Sequence, residues 1–386
     1  MYDRRVRAAD NGQLSGVVLL DLSAAFDLVD VDILLSKLRI YKFDEDILAW
    51  VKSYMTNRQQ AVWIDNVLSD FRHCPIGVPQ GSNLGPLFFL IFYNDLPFSV
   101  KHCSIDAYAD DSTMTISSNS VQDIGSRLTQ DCKTVADWMA GNRLKLNADK
   151  THLLTVGTGA RLRVQQSKVS VSMDGIYLRE SVDGSESLLG CQIQRDLKWH
   201  AHIDTLLKKL QLRLSALENL KRAVPLGIKK QVVNGLFNSV LMYCLPVFGG
   251  SGKGEIDSLQ VLQNKAVRLV VNAGRRENRA ELFSEVGWMT VRQLIQYHTA
   301  LSIFRIRDSQ EPEYLHHFMS QDNRANRIIV PHSSLTLMRN SFCYRGATDW
   351  NKLPDDLRSC CRIGSFKSNL RKWIMANVPQ FEDRTR

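Results

Sequence analysis

The period of the apolar positions changes along this chain, and each change marks an element. Val17 to Leu20 is a continuous apolar run ending on Asp21, the pattern of a buried strand. Ile33, Leu34, Leu35 and Leu38 space a short helix. Asp44 stands as the N-cap of a second helix carrying Ile47, Leu48, Val51 and Tyr54 on one side. Gly77-Val78-Pro79-Gln80-Gly81 then breaks regular structure. Leu84 to Leu96 reads as a largely buried helix, because Leu87 to Phe92 is apolar all round. Ile105, Ala107 and Ala109 alternate before Asp110-Asp111, and Thr113 to Ile116 resumes a strand pattern, which predicts a hairpin with carboxylates at its tip. Val121, Ile124, Leu128, Cys132, Val135 and Trp138 give the clearest amphipathic helix in the sequence. Lys145 to Val156 returns to strand character, Val169 to Leu178 predicts a hairpin turning at Asp174-Gly175, and Leu188 to Trp199 another strand pair.

Beyond His200 the pattern turns helical. Ile203, Leu206, Leu207, Leu210, Leu214 and Leu217 line one face of a helix over 202–220. Pro225-Leu226-Gly227 separates it from a helix reaching about Tyr243. Gly249 to Gly254 is a break, Ile256 to Val271 is helical, and Phe366 to Ile374 forms a basic amphipathic segment near the end. There is no internal repeat and no low-complexity tract. The pattern therefore divides the chain into an α/β part over 1–199, a helical part over 200–250 and a helical, basic extension over 251–386.

Composition adds little to this picture until charge is considered. At 386 residues, 44% hydrophobic and 23% charged, the chain is an ordinary globular sequence large enough for more than one core. Its 49 Lys and Arg against 40 Asp and Glu leave a formal charge of +9, which suits a polyanionic partner. Eight cysteines, with Cys360-Cys361 adjacent, contain no C-x-x-C pair, so neither a zinc ribbon nor a disulfide framework is indicated. The nine histidines show no metal-ligand spacing. The first residues lack a signal-peptide core and no apolar run is long enough to span a bilayer, so the expected setting is intracellular, nuclear or cytoplasmic, without a membrane partner.

The chemistry concentrates in Asp21, Asp110 and Asp111. Adjacent like charges at about 4 Å repel by roughly 4 kcal/mol at an effective dielectric near 20. A divalent cation removes that repulsion, and Mg²⁺ prefers a few carboxylates together with substrate phosphates. A metal site for phosphoryl transfer is the expectation.

The motifs around these residues, in their order, resemble the palm of a reverse transcriptase from a non-LTR, LINE-like retrotransposon. Leu20-Asp21-Leu22-Ser23-Ala24-Ala25-Phe26-Asp27 is similar to the family's first catalytic motif. Gly77-Val78-Pro79-Gln80-Gly81-Ser82 with Leu84-Gly85-Pro86-Leu87 is similar to the second, Tyr108-Ala109-Asp110-Asp111 to the third and Leu146-Asn147-Ala148-Asp149-Lys150-Thr151 to the fourth. Leu188-Leu189-Gly190 with Leu197-Lys198-Trp199 resembles the primer grip, and Ser341-Phe342 and Trp350-Asn351-Lys352-Leu353-Pro354 resemble sequences that follow the polymerase in such elements. The resemblance implies an α+β fold: a right-hand polymerase palm, an antiparallel sheet with helices, followed by a mostly helical thumb and a C-terminal extension. It implies RNA-directed DNA synthesis with an RNA template, a DNA primer and deoxynucleotide triphosphates as partners.

The resemblance also implies roles. Asp21 and Asp110 would bridge two Mg²⁺ ions, or Mn²⁺, with Asp111 supporting the cluster less directly. Phe26 would lie under the sugar and exclude a 2′-hydroxyl. Gln80 and Gly81 would lie near the incoming nucleotide and template, and Lys150 would protonate or neutralise pyrophosphate. Lys208, Lys209, Arg213, Lys221 and Arg222 would grip template–primer phosphates. Asp27, Asp30, Asp106 and Asp149 read as structural or surface acids. The sequence departs from the family where Val31 replaces a common His and Asn83 an aliphatic residue, and it starts only twenty residues before Asp21, so most of a fingers region is expected to be missing. A non-catalytic nucleic-acid-binding remnant, an RNA-directed RNA polymerase and a group II intron maturase are the alternatives. Phe26 argues against the second and the Trp-Asn-Lys-Leu-Pro segment against the third.

Overall fold

A computed structural model describes residues 1–147, 150–164, 168–218, 224–319, 321–322 and 326–381. They form two compact units: residues 12–189 with Met1, and residues 190–386 together with 2–11. The division falls inside Leu188-Leu189-Gly190.

The first unit is built on a sheet whose central strand is the apolar run read from the sequence. This strand, β1 (Leu14–Leu20), is followed by α2 (Val31–Ile40) and α3 (Glu45–Met55), the N-terminal helix α1 (Tyr2–Asp10) belonging to the other unit. Two small hairpins, β2 (Arg58–Gln60) with β5 (Arg72–Cys74) and β3 (Trp63–Ile64) with β4 (Val67–Leu68), precede α4 (Gly85–Tyr93). The chain continues through β6 (Ser104–Tyr108), β7 (Asp111–Ser118), α5 (Val121–Gly141), β8 (His152–Val156) and α6 (Gly159–Val164). It closes with the hairpin of β9 (Ser172–Met173) and β10 (Ile176–Tyr177), then β11 (Arg179–Glu180). The sheet order is β11-β8-β1-β7-β6, antiparallel throughout except for β11 beside β8. The α+β expectation, a mainly antiparallel palm sheet with helices followed by a helical region, is met.

Register fixes the site. β1 pairs with β7 from Leu14↔Ser118 to Leu20↔Ser112, and with β8 from Ser15↔Val156 to Leu19↔His152. Both faces of β1 are covered, which is why it is apolar without alternation. α5 packs directly on β1, since a Cβ built on Gly16 would stand 2.5 Å from Leu128 Cδ1 and 2.7 Å from Ile124 Cγ2. The helix is capped by Ser120, whose hydroxyl accepts from Asp123 N at 3.3 Å. Asp44 and Asp30 cap α3 and α2 in the same way, and Asp30 also meets Arg143 Nη1 at 2.5 Å.

Two buried charges were not anticipated. Lys37 in α2 donates to Phe92 O at 2.5 Å and to Asp95 Oδ1 at 2.6 Å, with its ammonium 4.7 Å from the ring centroids of both Phe92 and Trp138. Burial lowers its pKa, with Asp95 opposing. Asp131 in α5 is fully buried and accepts backbone N–H bonds from Lys101, His102 and Cys103 at 3.2, 2.8 and 2.7 Å. Burial works to raise its pKa, but these donors outweigh it and hold the carboxyl below its ordinary range. The helix over 84–96 is shorter than expected and only one side is covered: Phe88, Phe89, Phe92 and Tyr93 are buried while Leu87 and Leu90 remain half exposed.

The second unit is almost entirely helical. α7 (His200–Glu218) buries Ile203, Leu206, Leu210, Leu214 and Leu217. α8 (Leu226–Val233) runs through a π-helical stretch at Asn234–Asn238 into α9 (Ser239–Met242). Cys244, at φ 54°, then turns the chain into α10 (Leu245–Phe248). α11 (Lys253–Val271), α12 (Arg279–Val286) and α13 (Val291–Ser309) complete the centre of the unit, with helices at Phe342–Asn351 and Ile363–Asn377 packed in the same core. Trp350 is fully buried there and donates from Nε1 to Asn326 O at 3.0 Å. Asn351 accepts from Ile328 N and donates to Ile328 O at 2.9 and 2.8 Å. The Trp-Asn-Lys-Leu-Pro segment is therefore a core anchor. The polar N-terminal residues form α1 in this unit: Tyr2 stacks near Trp199 with ring centroids 4.6 Å apart, Cys343 N donates to Asp3 Oδ2 at 2.7 Å, and Leu335 N donates to Asp10 Oδ1 at 2.6 Å.

Candidate active site

Asp21 follows directly on Leu20, whose partner across the ladder is Ser112, so the first carboxylate leaves β1 beside Asp111 at the start of β7. Asp110 occupies the two-residue turn with Ala109, closed by the Tyr108↔Asp111 pair. Ala109 takes φ 52° while Asp110 does not, a placement that favours glycine and strains any other residue. The hairpin read from the sequence is thus present with its tip shifted by one residue, Ala109-Asp110 in the turn and Asp111 opening β7 rather than Asp110-Asp111 at the tip, and it brings all three predicted carboxylates to one end of the central strands. Electrostatics agree: the pKa of Asp111 is raised, first by burial and then by the charges of Asp110 and Asp21. Among the described residues none of the three forms an ion pair, nor do three His, Cys, Asp or Glu side chains converge tightly enough to cage a metal by themselves. Unpaired carboxylates in an open cluster suit a hard cation that completes its shell from water and phosphate oxygens.

The fourth motif lies alongside the first. Leu146 bridges Leu22, Ser23 N donates to Lys145 O at 2.9 Å, and Asn147 N donates to Asp21 O at 2.9 Å. The buried Thr151 hydroxyl accepts from Asp21 N at 3.4 Å and donates to Asn147 O at 2.9 Å. Lys150 is exposed beside this pairing. Thr151 was not singled out from the sequence, and only its place in the motif could have marked it.

The glycine-rich loop docks on the turn that follows Asp21. Gly77 N donates to Val29 O at 2.8 Å and Val78 N to Phe26 O at 2.9 Å. A Cβ on Gly77, at φ 82°, would stand 2.7 Å from Asp27 O, so glycine is required there by both conformation and space. Gln80 Nε2 donates to Asp27 Oδ1 at 2.9 Å, which gives Asp27, read as a structural or surface acid, the structural role of orienting a predicted substrate-binding residue. Gly81, at φ 76°, faces open space. Arg58, absent from the sequence reading, holds the loop by donating to Ile76 O at 3.0 Å and to Gly77 O.

Behind the loop runs an aromatic ladder. Phe26 stacks on Phe89 at 4.4 Å, Phe89 on Tyr93 at 5.3 Å, and Tyr93 meets Trp138 edge-on at 5.6 Å. The Phe26 ring is therefore immobilised from one side and partly exposed on the other. The Tyr93 hydroxyl is buried, and its pKa is pushed up to about 12, chiefly by that burial and further by the charge of Asp110. It stays protonated at neutral pH.

The basic residues predicted to contact nucleic acid lie in the other unit. Lys208 and Lys209 are exposed on α7, whereas Arg213 is partly buried and its guanidinium donates to Leu236 O. Lys221 and Arg222 lie outside the described residues. No helix among the described residues is long and apolar enough to cross a membrane.

Comparison with known proteins follows the same residues. The family described as reverse transcriptase (RNA-dependent DNA polymerase) matches residues 3–193. A probable RNA-directed DNA polymerase from transposon BS of Drosophila melanogaster is 27% identical over 314 residues, covering 78% of this chain and 34% of that protein. The RNA-directed DNA polymerase from mobile element jockey of the same species is 26% identical over 69% of this chain and 30% of its own length. The chain thus spans about a third of the curated relatives it matches. Among solved structures, apo telomerase from Candida Tropicalis superposes with a TM-score of 0.42 at 10% identity, covering 97% of this chain and 56% of that chain.

Proposed function

Residues 3–193 make this chain a member of the reverse transcriptase family, of the LINE-like, non-LTR kind, and on that premise we propose that it extends a DNA primer on an RNA template. The observation that carries the reading is the convergence of Asp21, Asp110 and Asp111 at the ends of β1, β6 and β7, next to a loop docked on Phe26 and Asp27. Asp21 and Asp110 are the residues that would hold divalent metal, with Asp111 behind them. Mg²⁺ or Mn²⁺, when bound, supplies a lowered pKa at the primer 3′-hydroxyl and neutralises charge on the nucleotide phosphates.

This chain's own groups do the rest. The carboxylates of Asp21 and Asp110 would hold the cations in place at one point, because bare carboxylates there would repel the nucleotide phosphates, and positioning with charge stabilisation provides most of the acceleration in phosphoryl transfer. Gln80, fixed by Asp27, and Gly81, open to close backbone approach, line the path of the nucleotide and template strand. Lys150, exposed beside the Asn147 turn, serves departing pyrophosphate as a counter-charge or proton donor. Lys208 and Lys209 contribute phosphate contacts from the helical unit.

The test is extension of a DNA primer annealed to RNA, with deoxynucleotides and Mg²⁺, repeated after chelation. Metal-dependent incorporation supports the proposal. A chain that binds primer–template but incorporates nothing is the non-catalytic remnant.

Phe26 gives the test a second reading. Its ring is pinned on Phe89, so it acts as a fixed floor under the sugar rather than a movable flap. Phe26→Ala should raise ribonucleotide use relative to deoxynucleotide use by about 10- to 100-fold, the range a steric apolar wall provides against an added hydroxyl. Competition between the two nucleotide types at one template position measures it. An unchanged ratio would place Phe26 in the core alone.

A further inference from the structure

Residues 58–74 form an arm, β2–β5 and β3–β4 in succession, whose apolar side chains lie outside both hydrophobic cores. Its root is fixed by Arg58, which donates to Ile76 O and Gly77 O. Ladder pairs run from Arg58↔Cys74 to Gln60↔Arg72 and resume where Ser69 N donates to Val62 O at 2.9 Å. Ala61 alone stands opposite Asp70-Phe71, the residue count of a β-bulge, which adds twist. Beyond it Trp63 pairs with Leu68 and Ile64 with Val67. Asp65-Asn66 closes the arm at φ 47° and 63°, and two positive values in a two-residue connection make a type I′ turn. The arm is thus a preformed element rather than a loose loop.

Its surface is that of a covered element. Paired residues share a face and neighbours alternate, so Trp63 and Leu68 occupy one face and Val62, Ile64 and Val67 the other. Apolar residues on both faces are the pattern of strands covered on both sides. Yet Val62, Trp63, Ile64, Val67, Leu68 and Phe71 are each between 47 and 68% exposed. At ~60–120 Å² per aliphatic side chain and ~150–250 Å² per aromatic ring, their bare part comes to roughly 350–600 Å². Exposed apolar patches of that size mark interfaces. A standard interface takes about 800 Å² from each partner, a little over half of it apolar. The arm supplies that apolar share on its own.

Charge on the arm indicates what covers it. The tip carries Asp65, and the root carries the Arg58 and Arg72 guanidiniums against Asp70, with His73 beside them. Asp65, Asp70 and Arg72 are exposed, and their side chains make no hydrogen bond or ion pair among the described residues. An acidic tip and a basic root complement the same arm reversed, which is what a two-fold contact between identical chains requires. A nucleic-acid strand along the arm would instead set its phosphates against Asp65 and Asp70. We propose that the arm is a self-association element: two copies of this chain pair through residues 58–74, antiparallel, with apolar faces packed together and the tip acid of each arm set at the root of the other. The contact uses none of Asp21, Asp110 and Asp111, so it stands whether or not the chain polymerises.

Sedimentation velocity of the full chain, from nanomolar to tens of micromolar, tests the association. The parent should pass from monomer to a discrete dimer within that range. Trp63→Ser/Val67→Ser removes one apolar side chain from each face and should raise the dimer dissociation constant by roughly 100-fold or more, since buried aromatic anchors dominate such contacts. Both side chains are exposed in the single chain, so a thermal melt under monomeric conditions should match the parent and show that the fold is kept. Arg72→Asp sets like charges together and should weaken the dimer about tenfold. Adding Asp65→Asn, which suits the positive φ, should recover most of that loss. A parent that stays monomeric throughout overturns the proposal, as does open-ended aggregation or a dimer equally tight in parent and Trp63→Ser/Val67→Ser. Indifference to Arg72→Asp overturns the antiparallel arrangement.

Discussion

Primer extension by the Asp110→Ala chain should fall by roughly 10³-fold or more, the cost of losing a carboxylate that would hold the cation stabilising the transition state. Asp110 sits in the turn between β6 and β7, away from the buried core, so the variant should fold and melt like the parent. Its loss also removes one of the two neighbouring charges that raise the pKa of Asp111. The carboxyl of Asp111 should therefore titrate closer to its ordinary range in the variant, readable by carbon-detected NMR of labelled aspartate. Asp111→Ala should lose activity less severely, because Asp111 supports the pair that acts on substrate. Primer–template binding retained by both variants, with extension lost from the first, separates a catalytic role from a structural one. Extension surviving in Asp110→Ala would remove the carboxylate cluster from the mechanism.

A large loss of stability is expected from Asp131→Ala. Its buried carboxylate satisfies the N–H groups of Lys101, His102 and Cys103 at the edge of the core, and truncation leaves all three without that acceptor. A fully buried donor left unfilled costs about 1–3 kcal/mol, and these part-buried ones cost less because the segment meets solvent. Partial relaxation of the 101–103 segment should leave a net loss of about 3 kcal/mol, seen as a lower urea midpoint at unchanged slope. The pH dependence has a definite sign. The folded carboxyl titrates below its ordinary value, so its contribution is complete above the ordinary carboxylate range near pH 4 and is lost as pH falls through the folded value. The gap between parent and variant should accordingly narrow in acid. Segment 101–103 leads straight into β6, so Asp131 anchors the strand that carries the catalytic turn. A gap that is small at neutral pH would show the segment finding other acceptors.

Both variants probe features of different visibility in the sequence. The hairpin at Asp110 was legible because charge interrupts two apolar runs, but its register was read one residue late: the turn takes Ala109 with Asp110, and Asp111 already pairs with Tyr108. The strand around Val17 and the helix from Val121 were legible for the same reason, as periodicity reports which faces are covered. Asp131 was not, since a lone acid on an amphipathic helix reads as solvated and its three donors arrive from a loop about thirty residues earlier. Lys37 and Arg58 escaped notice likewise: each works through backbone carbonyls, which leave no mark in sequence. Asp27 was underestimated because its partner, Gln80, lies 53 residues away. The site was thus readable in its charged centre, while the hydrogen bonds that orient it had to be seen.

The placement of α1 has a consequence for how the chain is made. Asp3 accepts from Cys343 N and Asp10 from Leu335 N, contacts separated by 340 and 325 residues. A ribosome adding about 5–20 residues per second makes α1 roughly 15–70 seconds before its docking surface exists. Through that interval a nine-residue helix, too short to persist alone in water, must wait as exposed coil while the sheet of the first unit is synthesised and folds. A unit translated after the sheet is thus completed by a segment translated before it.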